Sequence, residues 1–211
     1  MKMKNMLIGG MSLALVACIS IGGTLAYLTA TDGPKTNTFE FANGLTAELE
    51  ENADANSNGN ASSNNTGIAY TELVPGVDID KDVTATFTSD VDAYFFVKIE
   101  PVDKENGVTL NIKELLLGEG WKVYDDVSGA VSDIIPDDTY GEYVYEFTYT
   151  GDDGEPDEVV ANLFDTVFVN GNVETGAVLE DIKISVKAIQ KDGFADVKAA
   201  YGEVEYQGAN A

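Results

Sequence analysis

The stretch "KDVTATFTSDVDAYFFVKI", residues 81–99, decides the fold class. In its first half Val83, Ala85 and Phe87 alternate with Thr84, Thr86 and Thr88, the period of two that a half-buried strand imposes. Residues 89–92 are turn formers. Ala93, Phe95, Val97 and Ile99 then repeat the alternation as far as Pro101, which cannot donate to a ladder. The two halves predict an antiparallel hairpin with one apolar face.

The same pattern recurs on both sides of this stretch. Upstream, Phe39 and Phe41, then Leu45, Ala47 and Leu49, alternate about the turn dipeptide Asn43-Gly44 and predict a second hairpin. Pro75-Gly76 marks a turn. Downstream, Tyr143, Tyr145, Phe147 and Tyr149 form an aromatic stripe on a strand over 142–150, and such a stripe is more often core than ligand platform. A short strand is expected over 166–169. Over 181–189, Ile182, Ile184, Val186 and Ala188 point inward while Lys183, Ser185 and Lys187 point out. Helix is scarce, with short candidates at 111–117, just before Gly118, and at 194–201. The expectation is an all-β protein, an antiparallel two-sheet sandwich with one or two short helices, built from one domain in a chain of 211 residues.

Between the apolar patterns, residues 50–66 are a polar, low-complexity run with no face to bury and predict a long surface loop. Within it Asp54, Asn56, Asn58 and Gly59 match the first half of an EF-hand loop. The twelfth position is Asn65, where a bidentate Glu is required, so the match reads mainly as a loop, with calcium as the lesser alternative.

The amino-terminal end has a different composition. Lys2 and Lys4 precede an uncharged run that lasts to Thr31, the layout of a secretory signal. The run is long enough to span a bilayer, but Gly22 and Gly23 weaken a helix there, just before Thr24-Leu25-Ala26. Small residues flanking Leu25 suit a signal peptidase, so cleavage is expected between Ala26 and Tyr27. An alternative is Leu15-Val16-Ala17-Cys18, which has the form of a lipobox and would leave a lipidated Cys18 at a membrane.

Several chemistries are removed by what the chain lacks. It has one Cys and no His, so an internal disulfide, the HExxH zinc helix, the Ser-His-Asp triad and the Cys-His pair are all excluded. Two-carboxylate catalysis needs acids converging in one pocket, which a sequence cannot show, and no catalytic residue is assigned. The net charge is −25, and removing Lys2 and Lys4 takes the remainder to −27. Phosphate backbones repel such a chain, so no nucleic-acid partner is expected.

The segments "GGTLAYLTATDGPKTNTFEF", "LVPGVDIDKDVTATFTSDVDAYFFVKI", "NLFDTVFVNGNV" and "IKISVKAIQKDGFADVKAAY", in this order behind this leader, resemble the TasA/camelysin family of Gram-positive bacteria. The resemblance covers nearly the whole chain. It implies export with a SipW-type signal peptidase, a jelly-roll form of the sandwich, and a secreted biofilm-matrix subunit. Such a subunit polymerises with itself head to tail into fibres, alone or with an accessory matrix protein. It further implies that residues 27–41 act as a donor strand for the next subunit, with Tyr27, Leu28, Thr29, Phe39 and Phe41 as its contact residues, ahead of the sandwich at 42–211. Cleavage after Ala26 would free this segment to join an open sheet edge. Camelysin is classed as a metallopeptidase, but without His only carboxylates remain as ligands, and protease activity is not carried over. No LPxTG-like sorting signal is seen, so covalent wall anchoring is not expected. A monomeric or lipid-anchored surface adhesin is the alternative function.

Overall fold

A computed structural model describes residues 29–32, 45–52, 60–64, 67–134, 139–151, 155–174 and 177–203. Nearly all regular structure is β. The strands are β1 (Thr29–Asp32), β2 (Thr46–Asn52), β3 (Asn60–Asn64), β4 (Gly67–Thr71), β5 (Asp78–Ser89), β6 (Ala93–Val102), β7 (Asn111–Ile112), β8 (Trp121–Tyr124), β9 (Val131–Ser132), β10 (Gly141–Phe147), β11 (Asp157–Phe168) and β12 (Asp181–Gln190). One helix, α1 (Val197–Gly202), follows. Sheet A has the order β1-β12-β6-β10-β8-β9 and sheet B the order β2-β5-β11-β7, while β3 and β4 form a separate hairpin. All named pairings are antiparallel. The result is the two-sheet sandwich expected from the alternation.

The deciding stretch is nevertheless not a hairpin. β5 pairs with β2 and β11 in sheet B, whereas β6 pairs with β12 and β10 in sheet A. Residues 89–92 are therefore a crossover between sheets. Ser89 shapes the corner by donating its hydroxyl to the Val91 carbonyl at 2.7 Å and accepting the Val91 N–H at 3.2 Å. The crossover places Phe87 and Phe95 face to face across the sandwich, ring centroids 4.7 Å apart and 9° from parallel. Phe147 and Trp121 extend this stack, and Leu45, Leu49, Ile79, Leu163 and Ile184 fill the rest of the main core. Each large buried side chain contributes about 1.5–3 kcal/mol.

Other expectations are corrected locally. Residues 111–117 form no helix: Asn111–Ile112 is β7, whose Ile112 is buried opposite Val167 of β11. The strand expected at 166–169 spans Asp157–Phe168, its alternation blurred by register shifts between Asn162 and Phe164 and between Phe164 and Thr166. The polar run 50–66 is not loop throughout, because β2 continues to Asn52 and Asn60–Asn64 pairs with β4. The turn at Pro75-Gly76 does form. Gly76 has φ +82°, donates its N–H to the Val169 carbonyl at 2.8 Å, and lies so near Gly171 that a Cβ would meet its Cα at 3.2 Å.

Lys187 and Ser185 are not on an open face. A second, smaller cluster of Tyr94, Phe96, Tyr124, Val144 and Ile189 covers the outside of sheet A beneath Ala200 of α1. Phe194, Val197 and Tyr201 pack against it. Because β6 is buried on both faces, Phe95 and Phe96 are adjacent in sequence yet belong to different cores.

Candidate functional site: the β12 edge and the seam cavity

β12 is fully paired with β6 on one side, from Asp181 opposite Val102 to Gln190 opposite Ala93. Its other side is shared unequally. Among the described residues β1 pairs with the second half, Thr29 opposite Ile189 through Asp32 opposite Val186. Among the described residues, Asp181–Ser185 has no strand on that side.

Across from β12, the edge of sheet B is β2, which among the described residues pairs with β5 alone. The seam between these edges holds a half-open cavity of about 450 Å³. Ile79 and Val167 of sheet B, Ile182 of sheet A and Leu110 provide apolar walls, and Ile68 and Tyr70 of the β3–β4 hairpin border it. A cavity walled this way favours apolar side chains.

The charges at its mouth are engaged with one another. Lys81 meets Glu51 at 3.2 Å with side chains only 8% and 14% exposed, so neither partner can be removed without stranding the other. The Tyr70 ring lies 5.6 Å from the Lys81 ammonium, and burial, reinforced by Glu51 and Asp80, pushes the Tyr70 hydroxyl up to about 12. Lys104 binds Asp181 at 2.7 Å, and Thr109 donates to Glu180 at 2.7 Å. Lys183 also lines the cavity and, outside the lining, meets Glu100 at 2.9 Å, as does Lys98. Burial opposes the charge on Glu100, yet hydrogen bonds from both lysines hold its carboxyl below the usual range. A row of backbone donors and acceptors beside an apolar hollow suits an extended polypeptide. The row supplies main-chain hydrogen bonds and the hollow receives side chains.

Of the sequence-stated positions, Thr29 is in β1. Ala26, Tyr27, Leu28, Phe39, Phe41, Cys18, Asp54, Asn56 and Asn58 lie outside the described residues. Among the described residues no group of three or more Cys, Asp or Glu side chains could hold a metal ion, and no helix is long and apolar enough to cross a membrane. The Glu51–Lys81 pair and the cage around Lys187 were not anticipated. Phe194, Val197 and Tyr201 recur at helical spacing, and that apolar stripe was the available sign that α1 needs a surface to cover. No protein-family model, characterised protein or solved structure matches this chain.

Proposed function

We propose that this chain is an exported structural subunit that assembles head to tail, its amino-terminal segment adding to sheet A of the next copy, as the resemblance to the TasA/camelysin family implies. The observation that carries this reading is the pairing of β1 along β12 at the edge of sheet A. The amino-terminal residues that would be freed by cleavage after Ala26 include a strand that already uses this edge through four residues, Thr29–Asp32.

The arrangement is polar. β1 begins opposite Ile189, at one end of the sandwich, while Asp181–Ser185, which has no strand on that side among the described residues, and the cavity lie toward the other. A donor leaving one end and an acceptor at the other make a heterologous contact, and heterologous contacts that do not close give filaments. In a lone subunit β1 satisfies its own sheet. In the fibre the same strand would be exchanged for that of a neighbour, at little net cost because the hydrogen bonds are alike.

The in-chain pairing of β1 also favours a second reading, a self-complemented monomer displayed as a surface adhesin, with Cys18 as its lipid anchor. Electron microscopy separates the two. Filaments from residues 27–211 and none from a chain beginning at Phe39 are expected. Monomers from both would end the fibre proposal and leave the adhesin.

A further inference from the structure

Lys187 is fully enclosed on the outer face of sheet A, with 0% of its surface exposed. In register it stands beside Phe96 of β6 and Thr31 of β1. Its Nζ lies 3.2 Å from the centroid of the Tyr201 ring and 4.8 Å from that of Phe96. Tyr201, on α1, therefore covers the amine, and its hydroxyl donates to Glu142 Oε2 at 2.9 Å. The same ring packs 4.8 Å from Tyr124 and 5.3 Å from Phe96. A further polar tether of the helix is Lys198, which donates to the carbonyls of Val127 and Ser128.

One side chain thus seals a titratable group and fastens a six-residue helix that is too short to persist alone. We propose that Lys187 and Tyr201 form a proton-operated clamp on α1, closed over the neutral amine and loosened when Lys187 takes up a proton. The charged and titratable groups around the amine come from every packed element. They are Glu142 on β10, Lys98 on β6, Tyr124 on β8, Asp126 just after it, and Tyr201 on α1. Burial lowers the Lys187 ammonium to about 7. Glu142 and Asp126 favour the charged form and Lys98 opposes it. The faces of Tyr201 and Phe96 also favour the charged form.

The direction follows from linkage. With α1 undocked, Lys187 faces water and binds its proton near the ordinary value of about 10.4. The open form therefore holds more protons than the closed one between the two values, and opening becomes more frequent as pH falls through that window. Below the closed-state value both forms are charged and the dependence ends.

The test is hydrogen exchange of residues 27–211, which include every described residue, at pH 7, 8 and 9, with light scattering to hold the assembly state the same at each pH, corrected for intrinsic rates. The amides of Ala199 and Ala200, bonded to the side chain and the carbonyl of Asp196, report on α1. Opening should rise by up to about tenfold for each unit of falling pH. The slope should vanish in Lys187→Met and persist in Tyr201→Phe, which keeps the ring. Carbon-13 titration of the Lys187 Cε should show a midpoint below 9, and it decides the matter if the Met variant does not fold. A flat wild-type profile, an equal slope in Lys187→Met, or a midpoint near 10.4 would overturn the clamp.

Discussion

The two cores of this protein differ in kind. The main core joins both sheets, is formed by apolar and aromatic side chains from eight strands, and holds Phe87, Phe95 and Phe147 in one stack. The outer cluster joins sheet A to a single short helix and encloses a lysine. Loss of the first removes the reason for the two sheets to meet. The second can open while the sandwich stays intact, so its stability is local, and local stability is where a protein keeps its adjustable parts.

That contrast can be broken by substitution. Phe95→Ala should have the largest effect, because the ring is fully buried and stacked on Phe87, Phe147 and Tyr145. A cost of about 3–5 kcal/mol is expected in urea unfolding, in a single transition seen by every probe. If instead only the outer cluster responded, the division into two cores would be wrong. Tyr201→Ala should cost about 1–3 kcal/mol, mostly as lost protection of α1 with the β5 and β6 amides unchanged. Coupled loss of protection in those strands would show that the clusters act as one. Lys113→Met should be smallest. The Lys113–Asp78 pair is 56% and 51% exposed, and exposed pairs contribute less than about 1 kcal/mol, so thermal unfolding should scarcely move.

Sequence pattern served the main core far better than the outer one. Alternation assigned the inward residues of β5, β6 and β12 correctly, because a strand's period of two depends only on its own geometry. It could not say that β5 and β6 lie in different sheets, since a crossover and a hairpin leave the same inward set. Adjacent Phe95 and Phe96 carried the missing information, as two neighbouring residues buried on a strand require cover on both faces. Helix formers in "IKELLL" favour the helix expected at 111–117, and pairing of Ile112 with Val167 overrides that preference. For the candidate site, the resemblance implies a sheet-joining role for residues 27–41, of which Thr29–Asp32 are described and pair with β12. The cavity was not legible, since Ile79, Leu110, Val167 and Ile182 come from four distant parts of the sequence. Lys187 points away from the main core as the alternation has it, but its cover was not legible, since Phe96, Tyr124 and Tyr201 come from distant parts of the sequence.

Trp121 is the one tryptophan in the chain, and it sits in the main core, 6% exposed, 5.9 Å from Phe87 and 5.5 Å from Tyr145. The outer cluster has tyrosine and phenylalanine but no indole. Fluorescence excited at the red edge of the indole band is therefore a private channel into the space between the sheets. It will remain silent through any event confined to the helix, while tyrosine absorbance records both.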